Sequence, residues 1–305
     1  MSARVTAAAA SRQPAASRLG GWRYLFRPRP AGQAGPLLTT FSYGVTIVAA
    51  LACSVPLFYI LSTSLKDQQL LFTYPPHWIP DHFYWGNYTG LLFNTPFLRW
   101  VVNTLVVATS VTLIKVVFDS MAGYAFAKMK FPFRNVLFVV VIMTMMIPFS
   151  AILIPLYFMV FNFDLLNTYW ALILPPLANP IGIFLMRGFI EGLPSDLENA
   201  ARLDGVSEFG IYLRIILPLV RPGLVVLAVL TFLTQYTNFV WPLVAVNDQS
   251  MQLITTGLAT QRSVWQVNYG IFSAGAVMAL VPIVAFFLLL QKQFIAASLA
   301  GALKQ

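Results

Sequence analysis

Apolar positions along this chain run in six long blocks rather than in alternating or one-faced stripes. The blocks occupy residues 41–62, 101–125, 135–158, 167–187, 221–244 and 271–290. Hydrocarbon offers backbone N–H and C=O groups no partner, so a run of about 20 apolar residues reads as a spanning helix that satisfies its own hydrogen bonds. The pattern predicts an all-α, polytopic membrane protein with six transmembrane helices and both termini on one side. Pro56, Pro148, Pro155, Pro175, Pro176, Pro180, Pro242 and Pro282 stand in or beside the blocks. Each removes a backbone donor and is expected to bend its helix, as the broken helices of transporters are bent.

The main polar interruption is a loop at residues 188–218. It holds Glu191, Asp196, Glu198, Asp204 and Glu208, five of the ten carboxylates in the chain. Within it, "LPSDLENAARLDG" has the start and stop signals of a short helix. Ser195 followed three residues later by Glu198 predicts a capping box, and Asp196 and Glu198 oppose the positive end of the helix dipole. Gly205 is suited to the left-handed position that ends the helix. Leu197, Ala200 and Ala201 are expected on one side, open to close approach by another surface. Ser207 and Glu208 are expected to begin a second helix running toward the fifth span, broken near Pro218 and Pro222.

Composition agrees with the membrane reading. Hydrophobic residues make up 58% of the 305 and charged residues 10%, with a mean hydropathy of +0.75. The net charge of +9 would fit nucleic acid, but its distribution fits orientation in a bilayer. Fifteen basic residues fall on one side of the predicted topology, in the first 36 residues, the second and fourth loops and the C-terminal tail. Only Lys66, Arg99 and Arg262 fall on the other. The positive-inside rule then places both termini and the 188–218 loop in the cytoplasm. Residues 1–36 predict a disordered basic tail, and residues 37–305 a single transmembrane domain. An organellar transit peptide shares the tail's acid-poor, Arg-rich composition. Cys53, the only cysteine, permits no intrachain disulfide and is expected to pack within the first span. The external stretch "YPPHWIPDHFYWGNYTG" reads as an ordered surface segment, with Trp78, Tyr84, Trp85 and Tyr88 as interfacial aromatics. Its His77 and His82 lack the companions of a metal or catalytic site.

The run "LPSDLENAARLDGVSEFGIYLRIILPLVRPGL" resembles the EAA loop of permease subunits in binding-protein-dependent ABC importers, above all the six-span subunit of the maltose and glycerol-phosphate type. The likeness extends over residues 40–305, through "NTLVVATSVTLIKVVFDSMAGYAFAKMKFPFRN", "ALILPPLANPIGIFLMRGF" and "QKQFIAASLAGALKQ". It implies the type I importer permease fold, in which this loop is a coupling helix docked into a cleft of a cytoplasmic ATPase. Ala200, Ala201, Asp204, Gly205, Leu217 and Pro218 match the motif by position. Asn199 stands where the motif's glutamate usually is, with Glu198 just before it, so Ser195, Glu198 and Asn199 join the expected interface.

The resemblance implies a complex in the inner membrane of a bacterial-type cell: a homologous second permease, two cytoplasmic ABC ATPases and an extracytoplasmic sugar-binding protein. No nucleic acid belongs to it, and membrane lipid surrounds it. The chain contains no G-x-x-x-x-G-K-[ST] loop, so ATP and Mg are expected on the ATPase and no cofactor or catalytic residue on this chain. The expected cargo is a sugar or oligosaccharide, or else glycerol-3-phosphate or a related polyol phosphate, carried by alternating access. For the pathway, Lys115 and Asp119 lie four apart and can pair along one helix face. Gln235, Tyr236, Thr237 and Asn238 form a polar run in the fifth span, suited either to hydroxyl groups of a cargo or to bonds between helices. Family members often carry Trp-Asn where this chain has Tyr236 and Thr237. A passive six-span channel and a membrane-embedded enzyme are the rival classes. The first leaves the 188–218 loop unexplained, and the second lacks convergent catalytic groups.

Overall fold

The computed structural model describes residues 35–74, 77–260 and 268–302. Residues 1–34 of the predicted N-terminal tail and residues 303–305 lie outside them. The described residues form helices without strands. The chain divides into two units, residues 1–58 and 59–305. Helix α1 (Pro36–Ser64) crosses this division. Its apolar side chains from Leu37 to Phe58 are exposed, as expected of a surface made for hydrocarbon. Cys53, expected to pack, is exposed among them.

In the second unit α2 (Gly86–Asn94) precedes α3 (Phe97–Lys128), a helix of 32 residues. The buried positions of α3 recur at helical spacing: Phe97, Trp100, Asn103 and Thr104, Val107 and Ala108, Val111 and Thr112, Lys115, Asp119 and Ser120, Gly123 and Tyr124. Leu98, Val102, Leu113, Val117 and Phe118 occupy the other side and are exposed. One stripe of α3 therefore packs on protein and the remainder is apolar surface, the division a spanning helix needs.

The next spans are broken. α4 (Arg134–Met143) and α5 (Phe149–Asn162) meet at 96°. Pro148 donates no hydrogen bond and holds Ile147 in an extended conformation (φ −81°, ψ 115°), so the helix cannot continue through them. α6 (Tyr169–Leu177) and α7 (Ile181–Glu191) meet at 45° across Pro180. At this break Asn179 Oδ1 accepts a hydrogen bond from Ile181 N at 3.0 Å. After α8 (Asp196–Leu203) comes α9 (Glu208–Ile211), a π turn (Tyr212–Ile216) and α10 (Leu217–Leu219). That stretch meets α11 (Arg221–Tyr236) at 79°. Pro222 lies in the first turn of α11, where its missing donor costs nothing.

The fifth apolar block does not remain one helix through residue 244. α11 stops at Tyr236, and α12 (Val240–Ala245) is separate. Trp241 pins α12 by donating from Nε1 to Ala171 O at 2.8 Å. α13 (Ile254–Thr260) and α14 (Tyr269–Ala302) complete the order. The six expected spans thus become three long helices and three bent pairs. The stretch before α2 that was expected to be external is held by hydrogen bonds of its described residues. Asn87 donates to Ser64 O and Lys66 O at 3.0 and 2.8 Å, and Lys66 Nζ donates to His77 O. His77 and His82 are exposed.

Glycine sets the approach of α3 to α7. A β-carbon at Gly123 would lie 2.7 Å from Met186 Cβ and 2.9 Å from Arg187 N. The second of these is backbone and cannot swing aside. Close helix contact through small residues replaces the hydrophobic drive that lipid removes. Gly123→Val is expected to force the two helices apart and cost about 1–3 kcal/mol. Thermal unfolding of the purified protein in detergent checks this, and an unchanged midpoint would refute the contact.

Candidate functional site

The 188–218 loop is held from inside. Glu198 is 2% exposed, and a carboxylate removed from water must meet cations or lose its charge. Two are supplied. Lys128, in the last turn of α3, lies 3.2 Å from Glu198 Oε1, and Arg202 Nη2 donates to Glu198 Oε2 at 3.3 Å. Lys128 Nζ also donates to Leu193 O at 2.6 Å and to Ser195 Oγ at 3.3 Å. One ammonium thereby fastens three points of the loop to the end of α3.

Arg202 extends the network. Its Nε and Nη2 donate to the two oxygens of Glu208 at 2.7 and 3.2 Å, and its Nη1 to Asn199 Oδ1 at 3.2 Å. The hydrogen bonds to Glu208 hold the guanidinium's pKa above even its ordinary high value, so Arg202 is a permanent charge. Tyr124 of α3 donates to Glu208 Oε2 at 2.8 Å, and one turn earlier Ser120 and Tyr212 pair at 2.7 Å. Three positions of one stripe of α3, Ser120, Tyr124 and Lys128, thus grip α8, α9 and the π turn.

The capping box expected from Ser195 and Glu198 does not form. Ser195 has helical backbone angles (φ −70°, ψ −16°) and caps nothing with its side chain. An N-cap requires an extended backbone there, and Glu198 is drawn inward by Lys128 instead of reaching back along α8. The second helix does have the expected start, since Ser207 Oγ accepts from Gly210 N at 3.2 Å. Gly205 takes φ +77°. Gly205 N bonds Arg202 O at 3.1 Å and Val206 N bonds Ala201 O at 3.0 Å, the paired geometry of a Schellman stop.

Leu197, Ala200 and Ala201 do not share a face. Ala201 is buried with Glu198, while Leu197 and Ala200 point outward. Leu203, 89% exposed, and Phe209 extend this outward apolar face. Asn199 and Asp204 are exposed at its margins, and Pro218 is exposed on α10. With Glu198 committed internally, Asn199 is the outward polar group at the place where the motif usually has glutamate.

The pathway candidates fall into two groups. Lys115 Nζ and Asp119 Oδ2 pair at 2.8 Å, nearly excluded from solvent, and Lys115 Nζ also donates to Asn179 O at 2.5 Å. A β-carbon at Gly182 would collide with Asp119. The pair therefore sits against the break between α6 and α7 and braces it. The run 235–238 does not converge on one cavity. Gln235 and Tyr236 are buried, and Tyr236 OH donates to Ala279 O of α14 at 2.9 Å. Thr237 is exposed and bonds back to Leu233 O, and Asn238 O accepts from Thr255. Among the described residues no cluster of His, Cys, Asp and Glu could hold a metal ion.

A family model described as the binding-protein-dependent transport system inner membrane component matches residues 119–295. The chain belongs to this family. It is a membrane-spanning transport permease. It is 40% identical over 205 residues, 67% of this chain and 74% of the relative, to the arabinooligosaccharides transport system permease protein of Halalkalibacterium halodurans. To the sn-glycerol-3-phosphate transport system permease protein of Shigella flexneri it is 29% identical, across 85% of this chain and 95% of that one. Its fold is similar to a chain in the crystal structure of a bacterial ABC transporter involved in the import of alginate. The TM-score there is 0.72 at 20% identity, over 85% of this permease and 96% of that chain.

Sequence reasoning placed the loop but missed its anchors. Lys128 and Arg202 counted only as charges that orient the permease, and Tyr124 was not singled out. The spacing Ser120, Tyr124, Lys128 was the available signal: three polar residues at i, i+4 and i+8 along one stripe of the last turns of the helix. Glu198→Gln keeps the shape of the side chain but leaves Lys128 buried without its carboxylate, and is expected to cost about 3–5 kcal/mol. Asp196→Asn, on the exposed side, should change stability by less than about 0.5 kcal/mol. Chemical denaturation of the two variants compares them, and equal midpoints would contradict the anchoring.

Proposed function

We propose that the outward face of α8 docks on a separate cytoplasmic ATPase and that the permease carries a sugar or oligosaccharide inward by alternating access. One observation supports this reading above the others. A short amphipathic helix is clamped by buried charge on one side and leaves Leu197, Ala200 and Leu203 exposed on the other. Eight residues, about 12 Å of helix, would not stay folded alone. The clamp makes α8 a rigid knob whose free side suits a socket. The basic residues Lys130, exposed, and Arg134, half-buried, follow α3 at this same end, in keeping with a cytoplasmic position by the positive-inside rule, and hence with cytoplasmic termini. A second, homologous permease, two ATPase chains carrying ATP and Mg, and an extracytoplasmic binding protein complete the assembly.

ATP binding can drive the cycle only by favouring one arrangement of the bundle over another. The breaks at Pro148, Pro180 and Val220 provide the joints. An uncharged carbohydrate is favoured over a polyol phosphate because Lys115, the lysine within the spans, is committed to Asp119 and Asn179. A relative that carries glycerol-3-phosphate keeps the second cargo as the reading to be tested beside it.

Leu203→Asp should reduce co-purification of the ATPase at least tenfold without lowering the thermal midpoint, because the side chain touches little of its own protein. Undiminished capture would refute docking through this face. Gly205→Val should strain the left-handed stop by about 1–2 kcal/mol and uncouple ATP hydrolysis from uptake. Uptake of arabinose and chitobiose oligosaccharides, maltose and glycerol-3-phosphate by the reconstituted complex decides the cargo, and uptake of glycerol-3-phosphate alone would overturn the carbohydrate assignment.

A further inference from the structure

We infer that Lys128 is a positioning residue for transport: by gripping α8 it makes α3 a single rod that carries movement of the coupling loop to the segment Gln249–Ile254 at the opposite end of the bundle. The inference rests on the ATPase docking proposed above.

The far end of α3 is tied as specifically as the near one. Trp100 Nε1 donates to Gln249 O at 2.8 Å, and Asn103 Nδ2 donates to Ser250 O at 2.8 Å and Gln252 O at 3.0 Å. Ile254 N donates to Thr104 Oγ1 at 2.8 Å. Tyr169 OH donates to Asn103 Oδ1 at 2.6 Å, which fixes the amide in the orientation that serves the segment. Asn103 and Lys128 are 25 residues apart, about 38 Å along an α-helix. Both belong to the same stripe, and both hold loop backbone or loop side chains.

What distinguishes α3 among the long helices of the described residues is an interior free of proline, since α1 contains Pro56 and α14 contains Pro282. The helices around it break near Ile147–Pro148, Asn179–Pro180 and Val220, and a break takes up displacement by bending. α3 contains no proline and runs uninterrupted from Phe97 to Lys128. A push received at Lys128 therefore reaches Trp100 and Asn103 undiminished, where it acts on backbone carbonyls. At the near end Lys128 is the member that reaches Glu198, Leu193 and Ser195 together. Without it α3 keeps only Tyr124 to Glu208 and Ser120 to Tyr212, both beyond α8.

Cys53 is the only cysteine, so Cys53→Ser gives a background in which Ser250→Cys can carry a single environment-sensitive label. The complex is reconstituted with its ATPase, and the label is read with and without a non-hydrolysable ATP analogue. With Lys128 present, the analogue should change the signal. In Lys128→Met complexes that have captured the ATPase, the change should fall at least fivefold. Lys128→Arg should restore it. Asn103→Leu, at the other end of the rod, should lower it by a similar factor with loop docking intact. A full-sized change in a folded Lys128→Met complex would overturn the inference. Should that variant not fold, a full-sized change in Asn103→Leu does so instead. A parent complex that captures no ATPase would overturn the docking itself, so the two failures are distinguishable.

Discussion

A desolvated carboxylate governs the polar end of this permease. Burying an unpaired charge costs several kcal/mol, and Glu198 has two cations beside it. Lys128 and Arg202 therefore have to be where they are. Through them α8 is fixed to α3, and through Arg202 and Tyr124 the following turn is fixed to both. The outward face of α8 is free because the inward face is so fully occupied. A loop that is mostly polar thereby acquires the stiffness of a packed element, although its helix is too short to be stable alone.

The membrane sets the second constraint. Lipid supplies no hydrogen bonds, so helices can be broken only where side chains or neighbouring backbone take up the freed groups. α6 and its break from α7 have such partners close by. Asn179 offers its side chain to Ile181 and its carbonyl to Lys115. Thr168 Oγ1 accepts from Ala171 N at the start of α6. Trp241 reaches Ala171 O from a helix that has separated from α11. α3 has no break to repair; its Lys115 serves the break between α6 and α7, and polar groups nearer its two ends hold the loops there.

Much of this was legible in the sequence because it depends on local rules. Apolar blocks of bilayer length mark spans whatever they pack against, and Gly205 marks the end of a helix because only the left-handed region closes that turn. The stop at residues 201–206 follows the expected pattern. The start of the same helix does not, because Ser195 and Glu198 could satisfy a local motif or a distant lysine, and spacing alone carries no knowledge of Lys128. The split of Ala200 from Ala201 has the same origin: which of two adjacent alanines faces in is set by the rotation that Glu198 imposes. The run 235–238 reads as a cluster along the chain, but α11 ends within it and disperses the four residues. Breaks at prolines could be expected; their angles of 96°, 45° and 79° depend on packing and could not.

The ion pair between Lys115 and Asp119 has a consequence in electrical terms. A living membrane holds a voltage, and moving one elementary charge through 100 mV involves about 2.3 kcal/mol of work. Carried on one helix 2.8 Å apart, the two charges move together and sum to zero. Rocking of α3 through the field then does no net work by way of this pair, so the pair gives the energised state of the cell no handle on the transport cycle.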